Sequence, residues 1–256
     1  MRDIFFNGES LLEQGFALKS FPVYKTAEPE LEFVGLPGCD GDDVISNFRY
    51  KNVEESIEIN SIPHSVFLAE NTFQLVMALK NWLVYSDGQY KEYRDSIFPG
   101  YFTKAICTSI GEIQTCGFAK LIETTLLFNR VPWWYSDLGN QPYIINELNK
   151  QISINNPEKY SSLPLIIFQG AGNVNLVINN ISFSIKDISN VGNYLKIDGE
   201  TGNCTDIDGN SLDTKVNFDY PPIFKSGSNT IKAVYGGGTP ESALKQITII
   251  PRWRRL

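Results

Sequence analysis

The chain has 256 residues, 42% of them hydrophobic and 12% aromatic, with a formal net charge of −7. That length suits one large domain or two of ordinary size, and the aromatic content excludes a disordered chain. The charge excludes a nucleic-acid surface spread over the whole molecule and leaves one small basic group at Arg252, Arg254 and Arg255, read as a solvated tail.

Residues 4–7 read as a short strand closed by Asn7-Gly8, with residues 16–19 as its partner. The opening breaks after Ile4, Phe5 and Phe6, too short an apolar run for a secretory signal. No stretch approaches the roughly 18 apolar residues of a membrane span, so the expectation is a chain made and folded in a cytosol, with no membrane insertion. Residues 25–43 read as a long loop, because Pro37-Gly38 and Asp40-Gly41 punctuate turns. The alternation in Ser56-Ile57-Glu58-Ile59-Asn60 predicts a half-buried strand. A single helix is predicted over residues 72–84. Asn71 would cap it with Gln74 three residues on, and Phe73, Val76, Met77 and Leu83 would form its apolar face, with Lys80 on the edge. Residues 101–106 and 118–128 read as long strands rich in β-branched and aromatic residues.

Residues 131–156, with Pro132, Trp133, Trp134, Gly139 and Pro142, read as a boundary, after which helical periodicity vanishes. Short strands are predicted at 163–168, 173–178, 181–185, 194–197, 211–216, 230–234 and 245–249, with Asn179-Asn180 as a tight hairpin turn. That spacing is the sign of a two-sheet sandwich. The expected fold class is therefore mainly β: residues 1–135 form an N-terminal β domain with one helix, and residues 136–256 a linker and a C-terminal β-sandwich.

No catalytic, cofactor-binding or metal-binding residue is assigned. The single histidine, His64, has no nucleophile or orienting carboxylate marked beside it. Cys39, Cys107, Cys116 and Cys204 have neither disulfide-scaffold density nor zinc-ligand spacing and read as reduced thiols. Gly170-Ala171-Gly172 lacks the third glycine and the following helix of a phosphate loop. The stretch from Asp206 to Asn210 lacks the glycine and closing glutamate of a calcium loop in register, and reads as an Asp-Gly turn. The carboxylates Glu28, Glu30, Asp42, Asp43, Glu54 and Glu55 read as a solvated acidic face. Trp133-Trp134-Tyr135 has two readings, a platform for a partner or sugar, and packing where two domains meet.

The order of several landmarks resembles the distal tail protein (Dit) family of long-tailed, non-contractile phages of Gram-positive bacteria. They are Phe6-Asn7-Gly8, then Leu36-Pro37-Gly38 with Asp40-Gly41, then Leu79-Lys80-Asn81-Trp82-Leu83 before Asp87-Gly88. Tyr101-Phe102 with Lys104-Ala105 follows, then Phe128 to Pro132 with Trp133-Trp134. In the second half they are Pro164 with Gly170-Ala171-Gly172-Asn173, Ile197-Asp198-Gly199-Glu200, Pro221-Pro222, and Ile250-Pro251-Arg252-Trp253. Asn129-Arg130-Val131 departs from the cysteine-containing variant common in the family.

The resemblance implies a ring-forming N-terminal domain and a galectin-like C-terminal sandwich outside the ring. It implies a homo-hexamer at the tail tip or baseplate of a virion, joining the major tail tube protein to a tail-associated lysin or fibre protein. Receptor-binding or baseplate proteins would be neighbours, and DNA would pass only in transit through the channel. On physical grounds a ring needs sheet edges or hairpins that pair between copies, and the long strands near 101–128 are the expected source. Two other functions are held beside this one. One is a carbohydrate-binding β-sandwich for host cell-wall attachment, with Trp134 and Trp253 as its aromatics; the other is a two-carboxylate wall hydrolase using Glu54 or Asp42.

Overall fold

The structure is a computed structural model that describes residues 2–20, 25–62, 72–84, 87–116, 121–189, 192–217, 220–237 and 243–256. It is mainly β and divides into two compact units, Met1–Trp134 and Tyr135–Arg255.

The first unit contains β1 (Ile4–Phe6), β2 (Glu9–Ser10), β3 (Phe16–Leu18), β4 (Pro29–Gly35), β5 (Asp42–Tyr50) and β6 (Val53–Ser61). The helix α1 (Thr72–Leu83) follows, then β7 (Lys91–Asp95), β8 (Tyr101–Ile110), β9 (Gln114–Cys116) and β10 (Leu121–Arg130). An antiparallel sheet runs β2-β1-β7-β8-β10-β6-β3, and β9 also pairs with β10. The expected strand at 56–60 is the centre of β6, whose period-two pattern buries Val53, Glu55, Ile57, Ile59 and Ser61. Those side chains share one face because alternate residues of a strand point the same way. Phe6, Ile57, Ile59, Tyr93, Leu126 and Phe128 belong to the unit's core.

The helix occupies almost the span read from the sequence; its cap residue Asn71 lies outside the described residues. Its buried face keeps Leu83, with Val76 packed against the core, but replaces Phe73 and Met77 of the expected one. Leu75, Leu79, Trp82 and Leu83 enter the core, and Trp82 Nε1 donates to the Phe6 carbonyl at 3.1 Å. Phe73 is 68% exposed and Met77 37% exposed. The helix carries apolar residues on two stripes, and the core selects the stripe bearing the tryptophan, which has the larger area to bury. A second correction concerns the long strands. β10 lies between β8 and β6, and β7 covers β8 at Thr103–Ala105, so among the described residues only the far half of β8 lacks a partner on its β7 side.

The second unit begins within β11 (Trp134–Ser136), at Tyr135, and continues with a short 3₁₀ turn, Asp137–Asn140. Its strands are β12 (Tyr143–Ile145), β13 (Gln151–Asn156), β14 (Leu165–Ala171), β15 (Val174–Ile178), β16 (Ile181–Ile185) and β17 (Tyr194–Asp198). They continue with β18 (Cys204–Thr205), β19 (Val216–Asn217), β20 (Gly227–Tyr235), β21 (Ala243–Ile250) and β22 (Arg254–Arg255). Two five-stranded sheets result, β12-β21-β14-β17-β18 and β13-β20-β15-β16-β19. Their alternating inward residues make one core containing Ile166, Phe168, Leu176, Ile231, Ile247 and Ile249. Asn179 and Asn180 both take positive φ, 50° and 68°, as a two-residue hairpin turn requires.

Three expectations give way here. The stretch 131–156 is not only a boundary, since β12 and β13 are outer strands of the two sheets. Its Asn and Pro content hid strands only three and six residues long. The strand expected at 211–216 is a bridge at Ser211, a 3₁₀ turn at Asp213–Lys215 and the two-residue β19. Asp213 Oδ1 accepts from the Cys204 N–H at 2.8 Å, so a side chain takes the role of a ladder partner.

The basic C-terminus is not a solvated tail. Trp253 is 2% exposed and packs against Phe224 with ring centroids 5.7 Å apart. Arg252 donates to both carboxylate oxygens of Asp198, at 2.6 and 3.2 Å. Burial pushes the Asp198 carboxyl up, but its hydrogen bond and attraction to Arg252 outweigh that, and its pKa falls below the ordinary value. Gly139 holds this closure from the other side: a Cβ there would sit 2.2 Å from the Trp253 backbone nitrogen. The Gly139→Ala variant is expected to lose about 1–3 kcal/mol of stability through overpacking, read as a lower midpoint in chemical denaturation. An unchanged midpoint would show that Trp253 shifts freely.

Candidate assembly surface

The loop expected at 25–43 is instead a two-stranded antiparallel arm made of β4 and β5. Its sequence alternates, with Leu31 and Phe33 set against Glu30 and Glu32, so period two was present. The turn signals of Pro37-Gly38 and Asp40-Gly41 mark its tip.

The register fixes which residues share a face. Phe33 pairs with Val44 and Leu31 with Ser46, so Leu31, Phe33 and Val44 share one side. Glu32 pairs with Ile45 and Val34 with Asp43, so the other side mixes Glu32 and Asp43 with Val34 and Ile45, while Asp42, opposite Gly35, lies at the tip of the first side. The apolar side is open to solvent, with Phe33 63% and Val44 55% exposed. Phe48 is 95% exposed and holds φ at 54°. A bulky residue in that region carries backbone strain, and its ring gains no burial in return within the described residues of this chain. A two-stranded ribbon is marginal alone in water, and among the described residues nothing pairs with either outer edge of this one or covers its apolar side.

The arm's base is tied firmly to the first unit. Across its foot the Lys51 N–H donates to the Glu28 carbonyl at 2.8 Å and Arg49 pairs with Glu30 at 2.5 Å, joining the two legs, and further contacts hold the legs to the sheet. Asn52 Nδ2 donates to the Tyr90 hydroxyl at 2.7 Å and to Asn129 Oδ1 at 2.6 Å. Tyr50 meets Trp133 edge-on with centroids 5.3 Å apart. Arg130 joins the base to the core: Nη2 donates to the Lys25 carbonyl at 3.0 Å, and Nε donates to Glu55 Oε2 at 3.2 Å. The guanidinium also lies 5.3 Å from the centroid of Trp134.

Arg130 and Glu55 are both buried, with Asp95, Arg2 and Tyr93 in the same field. Burial raises the Glu55 pKa above its ordinary value, and Arg130 partly offsets this. The Tyr93 hydroxyl is buried with no hydrogen-bond partner among the described residues, and burial, with Glu55 and Asp95, holds its pKa well above the usual value.

The other residues singled out in the sequence divide as follows. His64 lies outside the described residues. Glu55 is not part of a solvated acidic face, whereas Asp42 and Asp43 are exposed on the arm and Glu54 is exposed on β6. Trp134 and Tyr135 are 7% and 4% exposed, so neither is a platform for a ligand. Asp206 spends its carboxylate on its own turn, with Oδ1 accepting from the N–H groups of Asp208 and Asn210. After Gly170-Ala171-Gly172 the chain continues as strand β15, as the turn reading requires. Cys107 and Cys204 are free and buried, and burial pushes both thiols up to about 11.

The fold matches solved phage structures over its full length. The chain superposes on the Dit protein of phage SPP1, described as a paradigm of the hub adsorption apparatus in phages that infect Gram-positive hosts. The TM-score is 0.65 at 11% identity, covering 100% of both chains. A chain of the phage p2 baseplate, solved in its activated conformation with strontium, gives a TM-score of 0.54 at 10% identity, covering 100% of this chain and 98% of that one. No family model and no curated protein matches the sequence. The mainly β fold and the resemblance read from the ordered landmarks are thus borne out in the fold.

Proposed function

We propose that this chain is a structural hub of a phage tail tip or baseplate, in which six copies close a ring through their arms. One observation carries the reading: the β4–β5 arm is anchored rigidly at its base yet exposes an apolar face and open strand edges. Large exposed apolar surface of this kind marks a protein contact. The likeness of fold to hub and baseplate proteins supplies the setting.

A second copy is the natural occupant. Repeating one heterologous contact closes a cyclic ring, and main-chain pairing along an open strand supplies affinity without special side chains. In this reading the ring joins the tail tube to the tail-tip or fibre proteins and leaves a channel for DNA. The chain then works by packing, not by catalysis, in the tail of the virion. Among the described residues no helix is long and apolar enough to cross a membrane.

Native mass measurement and electron microscopy of the purified full chain test the reading. A six-fold mass and rings are expected at micromolar concentration. A clean monomer at high micromolar concentration would overturn it.

A further inference from the structure

We propose that the second unit carries a binding groove for a short saccharide bearing one acidic group. The groove lies at the end of the β14-β17-β21 sheet and has a volume of about 400 Å³. Gln169, Asn193, Tyr194 and Lys245 line it, with Ala171 and Ile207 as apolar wall. None of the four polar side chains makes a hydrogen bond or ion pair with another described residue, and all four residues line one hollow. Among the described residues that line the groove there is no carboxylate, and Lys245 is the one charged side chain.

Two backbone features build the site. The β14–β21 register shifts between Gln169 and Gly170, and such bulges re-aim neighbouring side chains. Gly170 cannot be replaced there, because a Cβ would meet the Ala243 carbonyl oxygen at 2.7 Å. Asn193 holds φ at 55°, and its carbonyl accepts from the Gly170 N–H at 3.0 Å. A strained turn and a bulge are thus tied to each other beside the groove.

The lining chemistry selects the ligand class. Side-chain amides offer donors and acceptors together, which suits the hydroxyls of a sugar. The Tyr194 ring and Ile207, which is 73% exposed, offer apolar surface for a ring face. Lys245 favours an anionic group on the same molecule. β14 itself offers no edge to an added peptide strand, being paired with both β17 and β21. The volume falls in the range of small-molecule sites. Neither Trp134 nor Trp253 takes part, since both are buried.

The test uses the full chain in saturation-transfer NMR and titration, with glucose 6-phosphate, glucose and inorganic phosphate as probes. Saturation should reach the sugar protons, and glucose 6-phosphate should bind at least about tenfold more tightly than glucose. Asn193→Gly removes the amide while keeping the left-handed backbone accessible, and should abolish transfer to both sugars. Lys245→Met should lower glucose 6-phosphate to the level of glucose. The proposal fails if neither sugar receives saturation, if Asn193→Gly binds as the parent does, or if inorganic phosphate competes as well as the sugar phosphate. It does not depend on ring formation, so its failure leaves the mass measurement untouched.

Discussion

Replacing Arg130 with methionine is expected to destabilise the protein by about 3–5 kcal/mol at pH 8, the usual loss when one partner of a buried ion pair is removed. The reason lies in what remains. Glu55 is 3% exposed, and without Arg130 its carboxylate would face Asp95 with its nearest counter-charge gone. Methionine fills much of the space, so the loss measures charge more than cavity.

The pH dependence separates this cause from simple loss of packing. The folded-state pKa of Glu55 is already raised, first by burial. A raised carboxyl holds its proton more tightly when folded. Its contribution to stability is fully present below the unfolded pKa and is lost as pH rises through the folded pKa. Removing Arg130 deletes an attraction and a hydrogen bond that both lower that pKa, so the loss extends further toward neutral pH. The difference between parent and variant should therefore be large at pH 8 and much smaller at pH 4.5. Adding Glu55→Gln to the methionine variant should recover most of the loss at pH 8 and flatten the dependence. Denaturant titrations at the two pH values decide it; equal losses at both would show that Arg130 acts through Lys25 and Trp134 instead.

The core strands were legible in the sequence because burial on one face writes period two into the residues. Val53 to Ser61 and the runs around Ile166, Leu176 and Ile247 all show it. The turns were legible where φ must be positive, as at Asn179-Asn180. Legibility failed where local pattern had two solutions. The helix offers two apolar stripes, and only the packed sheet decides that Leu79 and Trp82 go in while Phe73 stays out. The arm alternates, but turn residues crowd its tip and its apolar side faces solvent, so no buried neighbour confirms the strand. Glu55 sits at a core position of an alternating strand, and its partner Arg130 lies 75 residues away, a distance no local reading bridges. The groove around Tyr194 gathers residues from three strands and two turns, which only the sheet order brings together.

The arm makes the sharpest claim on assembly. Phe33→Asp with Val44→Asp places two carboxylates opposite each other on the apolar face. In a free copy both sites face solvent, so the fold of the first unit should be retained and its denaturation midpoint little changed. In a ring each contact loses two buried apolar side chains, about 3–6 kcal/mol together, before the cost of burying new charge. That weakens each contact at least about a hundredfold, and a ring closed by one repeated contact suffers the loss at every joint. The variant should run as a monomer where the parent runs as a hexamer. The opposite side supplies the control: Glu32→Gln with Asp43→Asn alters charge there without touching Phe33 or Val44, and should leave the ring intact. Rings that persist with both aspartates in place would mean that the arm's apolar face is not what joins the copies.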